Sequence, residues 1–301
     1  MFDRVAIETS ECASRAALSA LASALGFEHG RLLAALPGSW TRDVYALLEG
    51  LPDGVDKVAA RTLLSRVARH SVRCGASFDR AETWLTNAIR AMQAGRLEYV
   101  VASAAADGGV PDLWEFLAQV PAAHAELMPH TLNGFERTCR RLVEAAPRAV
   151  VVDPYCDLSL GRSLQVIAGL ITWGSEGRCT DYDVYCRASA VLSTRANAEC
   201  EFERLVKEGF EAYAYSKDAR IRVFLLDDDR ADVSPMHQRA LITELGGIGV
   251  DYGFRIEDRR HSNVSVLTGR SLEGLQRQFY DGRHSYGVPR HSFDHWVRRA
   301  H

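Results

Sequence analysis

A short β-branched run near the middle of the chain limits its possible folds more than any other feature. Residues Ala149-Val150-Val151-Val152 are all apolar, and the run ends at Asp153-Pro154. A strand with one solvated face alternates apolar and polar residues, whereas this run is apolar on both faces. It therefore predicts a strand inside a sheet that is covered on both sides.

The residues after this run supply the helices and strands that such a sheet needs. The patterns predict helices from Ser159 to Ile171 and from Ala196 to Phe210, and strands at Asp183–Cys186 and Ile221–Leu226. A hairpin follows at residues 236–254. Long connections between strands indicate parallel pairing, with the hairpin antiparallel at its end. We therefore expect an α/β domain over residues 135–301.

The residues before this region suggest a different architecture. A short helix is predicted at Arg31–Leu36, and Asp53–Val72 has apolar residues at helical spacing. The chain of 301 residues is also long enough for two domains. The sequence thus predicts an all-α domain over residues 1–134, ahead of the α/β domain.

Charge and cysteine content narrow the classes of protein that fit. The chain has 36 Lys and Arg residues against 39 Asp and Glu residues, with a formal net charge of −3. This balance argues against binding nucleic acid or membranes through whole-chain charge, but not through a local basic site. The seven cysteines include no Cys-x-x-Cys pair, which favours reduced, buried thiols in a cytoplasmic protein over a zinc site. No apolar run reaches about 18 residues, so no membrane span is expected.

The hairpin carries the residues that point to chemistry. Residues two apart share a face of an extended strand, so His237 and Arg239 would lie side by side. Imidazole and guanidinium together suit a phosphate. Glu244 follows on the opposite strand parity and reaches the pair only if the turn bends it inward. Taken alone, these residues also fit a hydrogen-bonded histidine and a solvated arginine.

The spacing His237-x-Arg239-x-x-x-x-Glu244 resembles the phospholipase D superfamily motif His-x-Lys-x-x-x-x-Asp. The run Val152-Asp153-Pro154-Tyr155, followed by a helix and the hairpin, is similar to the phospholipase-D-like C-terminal domain found with MIT domains. It is also similar to bacterial relatives associated with phage-defence-type operons. The resemblance covers about residues 135–285 and implies a phospholipase-D-like mixed sheet with flanking helices.

The resemblance also implies a mechanism and a set of roles. In active members of the superfamily one motif histidine attacks phosphorus, and a second, from another motif copy, protonates the leaving group. The cation holds the phosphate oxygens, and no metal or other cofactor is needed. Here Arg239 replaces Lys, Glu244 replaces Asp, and one motif copy is present, so two histidines would meet only across a homodimer.

Two hypotheses follow from these departures. The first is a regulatory or assembly component of a bacterial defence-type system, whose degenerate site of His237 and Arg239 binds phosphate or nucleic acid. The alternative is a metal-independent phosphodiesterase, a nuclease that acts as a homodimer through a phosphohistidine intermediate. In it His237 is the nucleophile, Arg239 the phosphate clamp and Glu244 a supporting carboxylate. The first domain would bind a protein partner that the sequence does not identify.

A separate group of aspartates lies where predicted strands end. Asp153 and Asp157 follow the first predicted strand, and Asp227-Asp228-Asp229 follow the strand Ile221–Leu226. Open α/β sheets bind ligands at the carboxyl ends of their strands, and carboxylate oxygens there can hold Mg²⁺. A Mg²⁺-dependent enzyme is therefore a third hypothesis. Ordinary turn chemistry at strand ends is the favoured explanation.

Two basic segments follow the hairpin. Arg259-Arg260-His261 either extends a phosphate-facing patch or solvates a loop. The tail from Asp281 to His301 is irregular and rich in arginine, and its histidines, His284, His291, His295 and His301, have no regular ligand spacing. It either contacts nucleic acid or an acidic partner or is a solvated terminus, and the solvated terminus is the favoured interpretation.

Overall fold

The computed structural model describes residues 2–103, 109–119, 125–192, 197–227, 236–283, 286 and 288–300. The chain forms two compact units, Met1–His124 and Ala125–His301. The sequence predicts a domain boundary after residue 134, whereas the boundary in the structure falls after residue 124. The reason is that the strand Ala125–Pro129 pairs with a strand of the second unit, His261–Val266.

The first unit is built on a parallel four-stranded sheet with the order β3-β2-β1-β4. Its strands are β1 (Asp3–Ile7), β2 (Arg31–Ala34), β3 (Ser71–Val72) and β4 (Tyr99–Val101). Its described helices are α1 (Arg15–Ala24), α2 (Trp40–Glu49), α3 (Val55–Arg69), α4 (Trp84–Gln93) and α5 (Leu113–Gln119), with 3₁₀ turns at Thr9–Cys12 and Phe27–His29. The prediction of an all-α first domain is therefore wrong.

The missed strands are short, and two of them have no alternating pattern. All four residues of β2 are buried, and they fall in the segment that the sequence assigns to a helix. Val5, Ala6 and Ile7 of β1 are fully buried as well. A short run that is apolar on both faces fits a buried strand or a buried helix equally well by periodicity. Pairing with neighbouring strands decides the outcome here.

The second unit contains a mixed eight-stranded sheet with the order β12-β8-β7-β6-β9-β10-β11-β5. Its strands are β5 (Ala125–Pro129), β6 (Arg148–Val152), β7 (Asp181–Arg187), β8 (Ala219–Leu226), β9 (Ala240–Ile242), β10 (Gly247–Val250), β11 (His261–Val266) and β12 (His291–Val297). Its described helices are α6 (Leu132–Ala145), α7 (Gly161–Glu176), α8 (Ala188–Val191), α9 (Ala198–Glu211) and α10 (Gly269–Leu275), followed by a π-helical turn at Gln276–Tyr280. Strands β6, β7 and β8 run parallel, and the other neighbouring pairs are antiparallel. The mixed α/β architecture is confirmed.

Different helices cover the two faces of this sheet. Val150 lies in an apolar cluster with Ile242 and with Phe279 of the π-helical turn. Tyr182 on β7 is buried on the other side, where its hydroxyl donates to the carbonyl of Leu170 in α7 at 3.4 Å. The central β-branched run is thus buried on both faces, as its composition predicts.

The tail contains a strand that the sequence interpretation missed. β12 pairs antiparallel with β8 along its whole length. Its residues alternate, since Phe293 and Val297 are buried while Trp296 is 51% exposed. Phe293 packs against Phe202 of α9, with ring centroids 6.3 Å apart. The prediction of an irregular tail is wrong for this stretch, and His284 and His301 lie outside the described residues.

Two sequence expectations concern cysteines and membranes. Six of the seven cysteines are buried and Cys200 is exposed, so the expectation of buried thiols fails at that position. Burial raises the pKa of Cys12 to about 12, which keeps this thiol protonated at neutral pH. Among the described residues, no helix combines the length and apolarity needed to cross a bilayer.

Candidate anion-binding edge

Strands β6, β7 and β8 end at one edge of the eight-stranded sheet, which we call the carboxyl edge. Strand β9 begins at this edge, because Ala240 pairs with Val152 in antiparallel register. Asp153 follows β6, Arg187 is the last residue of β7, and Arg239 precedes β9. All three therefore lie at the edge where open α/β sheets bind ligands.

The ring of Tyr155 lies close to two guanidinium groups at this edge. The Cζ atom of Arg187 is 5.5 Å from the ring centroid, and that of Arg239 is 5.2 Å from it. Both distances are within the range of a cation–π contact. Arg187 also donates from Nη2 to the carbonyl of Met236 at 2.8 Å, and Arg239 donates from Nη1 to the carbonyl of Asp251 at 2.6 Å. Carbonyls and a half-exposed ring thus fix the directions of both cations.

Asp153 is turned inward and holds two loops together. The residue is 3% exposed, and its carboxylate accepts the backbone N–H of Tyr155 at 3.0 Å and that of Phe254 at 2.8 Å. The Nε atom of Arg239 is 3.9 Å from the nearer oxygen. Burial raises the pKa of Asp153, and the backbone hydrogen bonds partly oppose this. Its role is to tie the loop after β6 to the loop after β10.

Gly253 allows this close approach. Its φ of +79° lies in the left-handed region, and a Cβ atom there would overlap Oδ2 of Asp153. The sequence therefore needs a glycine directly before Phe254, whose N–H donates to the buried carboxylate.

The aspartates do not converge on a metal site within the described ranges. Oδ1 of Asp157 accepts the backbone N–H of Ser159 at 3.0 Å and its hydroxyl at 2.6 Å, which is turn chemistry just before α7. Asp228 and Asp229 lie outside the described residues. Among the residues that the structure describes, no group of three or more His, Cys, Asp or Glu side chains is placed to hold a metal ion.

His237 lies beside the carboxyl edge but not on a strand. It is exposed and comes before β9, and its backbone N–H donates to Oε1 of Gln238 at 3.3 Å. Arg239, two residues on, is half-buried. The structure therefore places the predicted pair at the same edge, with the imidazole open to solvent.

Glu244 lies at the other edge of the sheet. Strand β9 carries the chain from Arg239 across the sheet, and Glu244 follows in the turn before β10. At about 3.3 Å per residue of strand, the two residues are on the order of 10 Å or more apart. The carboxylate accepts a hydrogen bond from the hydroxyl of Tyr280 at 3.0 Å instead. The predicted trio of His237, Arg239 and Glu244 is thus a pair plus a distant carboxylate.

A second pairing of arginine and tyrosine extends the edge. Strand β10 ends at the carboxyl edge, and in the loop after it Tyr252 contacts Arg260, whose Cζ is 4.2 Å from the ring centroid. Glu257 forms ion pairs with Arg255 at 3.3 Å and with Arg260 at 3.2 Å. Arg260 therefore lies against a ring of the loop after β10, and Glu257 balances part of its charge. Tyr155 belongs to the run Val152–Tyr155 that carries the resemblance, but neither it nor Tyr252 is assigned a role by the sequence. Each is recognisable as a site residue only through the arginines that fold against it.

His130, which the sequence interpretation did not select, supports this loop from inside. The residue is fully buried, and its Nδ1 is 2.9 Å from the carbonyl of Arg255, which makes Nδ1–H the donor. Its ring makes an edge contact with Tyr252, with centroids 6.1 Å apart. Burial lowers the pKa of His130, so the imidazole is neutral at pH 7. Its Nε2 has no hydrogen-bond partner among the described residues.

Comparisons with known proteins leave the family of this chain open. No family model matches it, and neither does any curated protein. Among solved structures, it is similar to an archaeal chromatin protein, TrmBL2, whose structure is described as showing a novel mode of DNA binding. The identity is 12%, the TM-score is 0.26, and the match covers 76% of this chain and 82% of that one. A similarity this low supports no conclusion about fold or function.

Proposed function

We propose that the second unit is a phospholipase-D-like module that binds a phosphate-bearing ligand at its carboxyl edge and acts as a regulatory or assembly component. The observation that carries the proposal is the placement of Arg187 and Arg239 around the half-exposed ring of Tyr155. Arginine offers a planar fork of donors that matches phosphate oxygens. Asp153, the carboxylate beside Arg239, accepts two backbone N–H groups, and its nearer oxygen is 3.9 Å from Nε of Arg239, which is beyond hydrogen-bond distance. It therefore does not take up the donors of that guanidinium.

Binding without catalysis is favoured by the position of the third motif residue. Glu244 accepts a hydrogen bond from Tyr280 at the opposite edge, so it cannot support a reaction at His237. Arginine in place of lysine keeps the charge and adds a second donor direction, which suits recognition. In a regulatory component, binding of the ligand at this site would change the affinity for a protein partner.

The alternative is the metal-independent phosphodiesterase, a homodimeric nuclease with His237 as nucleophile. It is favoured by one observation, which is that the imidazole of His237 is exposed two residues before Arg239. A neutral imidazole is a competent nucleophile at neutral pH. The reaction needs a second histidine to protonate the leaving group, and this would come from a second copy of the chain.

Calorimetric titration with inorganic pyrophosphate tests the binding proposal. Replacing Arg239 by Gln removes a charged hydrogen bond, which is worth about 1.5–3 kcal/mol. We therefore expect Arg239→Gln to weaken binding by about tenfold to a hundredfold. Arg270→Gln is the matched control, because Arg270 is an exposed arginine of α10 at the opposite edge. Equal affinity of Arg239→Gln and the unaltered protein would refute the proposal.

A nuclease assay in EDTA separates binding from catalysis. The unaltered protein and His237→Ala are compared on single-stranded DNA, duplex DNA and RNA. Cleavage that resists EDTA and disappears in His237→Ala supports the phosphodiesterase, and cleavage that EDTA abolishes supports a Mg²⁺ enzyme. The absence of cleavage, together with pyrophosphate binding, supports the binding module.

A further inference from the structure

We infer that the carboxyl edge binds a single-stranded nucleic acid, with bases stacked on Tyr155 and Tyr252 and phosphates held by the arginines between and beside them. This inference rests on the proposed function, since it names the ligand that carries the phosphate. Its basis is an alternation of rings and cations along the edge, which a phosphate site alone does not require.

The two tyrosines have similar surroundings. Tyr155 is 43% exposed and Tyr252 is 44% exposed, so each ring keeps an accessible surface. Each also contacts a guanidinium group, which fixes the ring in one orientation. An exposed aromatic ring that a cation holds in place suits stacking by a planar partner.

Arg239 contacts the first ring and the backbone beside the second. Its Cζ is 5.2 Å from the Tyr155 centroid, and its Nη1 donates to the carbonyl of Asp251, the residue before Tyr252. Arg260 then lies over Tyr252. Cation and ring therefore follow one another from Arg187 to Arg260. A strand of nucleic acid repeats the same two chemistries, a phosphate and a planar base, at each nucleotide.

The net charge at this edge is too weak to select a ligand, so the two rings must do so. Glu257 neutralises much of Arg255 and Arg260, and the side chains of Asp251 and Asp258 are exposed in the same loop. Net positive charge is therefore modest, and stacking must supply a large share of the binding free energy. A duplex keeps its base faces inside the stack, and a free phosphate has none, so neither ligand can use the two rings.

Fluorescence anisotropy with labelled 12-nucleotide single strands of DNA and RNA tests the inference in the full chain. Stacking is worth about 1–3 kcal/mol per base, so Tyr155→Leu and Tyr252→Leu should each weaken binding by about fivefold to a hundredfold. Tyr155→Phe and Tyr252→Phe keep the ring and should retain affinity. Tyr45→Leu is the matched control, because Tyr45 is 45% exposed and contacts Arg61 at 5.2 Å in the first unit.

Salt dependence gives an independent measure. Contact with two or three phosphates of a single strand predicts a slope of log affinity against log salt of about −1.4 to −2.1. A much steeper slope would mean that charge dominates and that the rings do not stack. The 12-base-pair duplex and a polyglutamate peptide should both bind more weakly than the single strand.

The outcomes separate this inference from the proposed function. Loss of oligonucleotide binding in both leucine variants, with pyrophosphate binding unchanged in Tyr252→Leu, supports both. Pyrophosphate binding without oligonucleotide binding, or equal oligonucleotide affinity in the leucine variants, overturns the inference alone. Preferred binding of duplex or of polyglutamate overturns it as well. If neither pyrophosphate nor oligonucleotide binds, both proposals fail.

Discussion

Each unit has a sheet with neighbouring parallel strands. The charged side chains at the carboxyl ends of those strands differ between the units in sign and in their hydrogen-bond partners. In the first unit Glu8 follows β1 and accepts the backbone N–H and hydroxyl of Ser103 at 3.3 and 3.4 Å. Glu11, a little further on, accepts the backbone N–H of Leu113 at 2.9 Å. In the second unit Arg187 and Arg239 occupy the equivalent position against an exposed ring.

The difference shows that topology provides a location for a ligand but not its chemistry. In the first unit Glu8 and Glu11 accept hydrogen bonds from groups of the same chain, so their carboxylates are occupied by internal partners. The guanidinium of Arg239 carries more donors than its bond to the carbonyl of Asp251 uses, so we expect the second edge to bind an external anion through it. The carboxylate there, Asp153, is buried beneath the cations and stabilises the loops that present them.

The largest effect we expect comes from removing the two edge carboxylates in turn. Asp153→Ala leaves the buried N–H of Phe254 and the partly buried N–H of Tyr155 without an acceptor, which should lower the free energy of unfolding by about 3 kcal/mol. Glu8→Ala breaks longer bonds at a partly exposed site and should cost about 0.5–1 kcal/mol. Urea denaturation followed by circular dichroism measures both values. Equal losses of unfolding free energy in the two variants would show that the buried hydrogen bonds of Asp153 stabilise the fold no more than the partly exposed ones of Glu8.

The sequence predicts the second sheet better than the first for a physical reason. The run Ala149–Val152 and the strand Ile221–Leu226 lie in a wide sheet covered by helices, and each is rich in β-branched and other large apolar residues that mark it as a strand. In the first unit β3 has two residues and β4 has three, which is too short for a period to appear. Their strand conformation depends on the partners that they meet after folding.

The candidate site was predictable only in part for a related reason. His237 and Arg239 were found by local spacing, and both lie at the carboxyl edge. The sequence does not show that Glu244 lies far from this pair. Strand β9 has three residues, and they carry the chain from Arg239 to the opposite edge of the sheet. Tyr155 meets Arg187 and Arg239 only through tertiary contacts. Local sequence patterns do not predict these contacts, because the three residues are far apart in the chain.

An intermediate effect should appear in the pH dependence of stability. Burial lowers the pKa of His130, while an unfolded histidine titrates near pH 6.5. Below that value the unfolded chain binds more protons than the folded one, so the free energy of unfolding should fall between pH 7 and pH 5. Each unit of pKa depression contributes at most about 1.4 kcal/mol.

The variant His130→Phe should make that slope shallower, since the ring still packs against Phe135 and Tyr252 but no longer titrates. Burial also lowers the pKa of His70 and of His295, so part of the slope should remain. His261→Gln, at an exposed position of β11, is the control and should keep the original slope. An unchanged slope in His130→Phe would show that the loop carrying Tyr252 does not depend on a neutral histidine.

The smallest effect tests how far charge alone distinguishes the two edges. Glu257→Gln frees Arg255 and Arg260 from their ion pairs and makes the second carboxyl edge more basic. Exposed ion pairs are worth about 0.2–1 kcal/mol, so single-stranded oligonucleotides should bind about twofold to fivefold more tightly at low salt. Glu273→Gln, at an exposed position of α10, should leave affinity unchanged. Weaker binding of Glu257→Gln would mean that the carboxylate orients Arg260 over Tyr252, and that placing the cation on the ring matters more than the charge it adds.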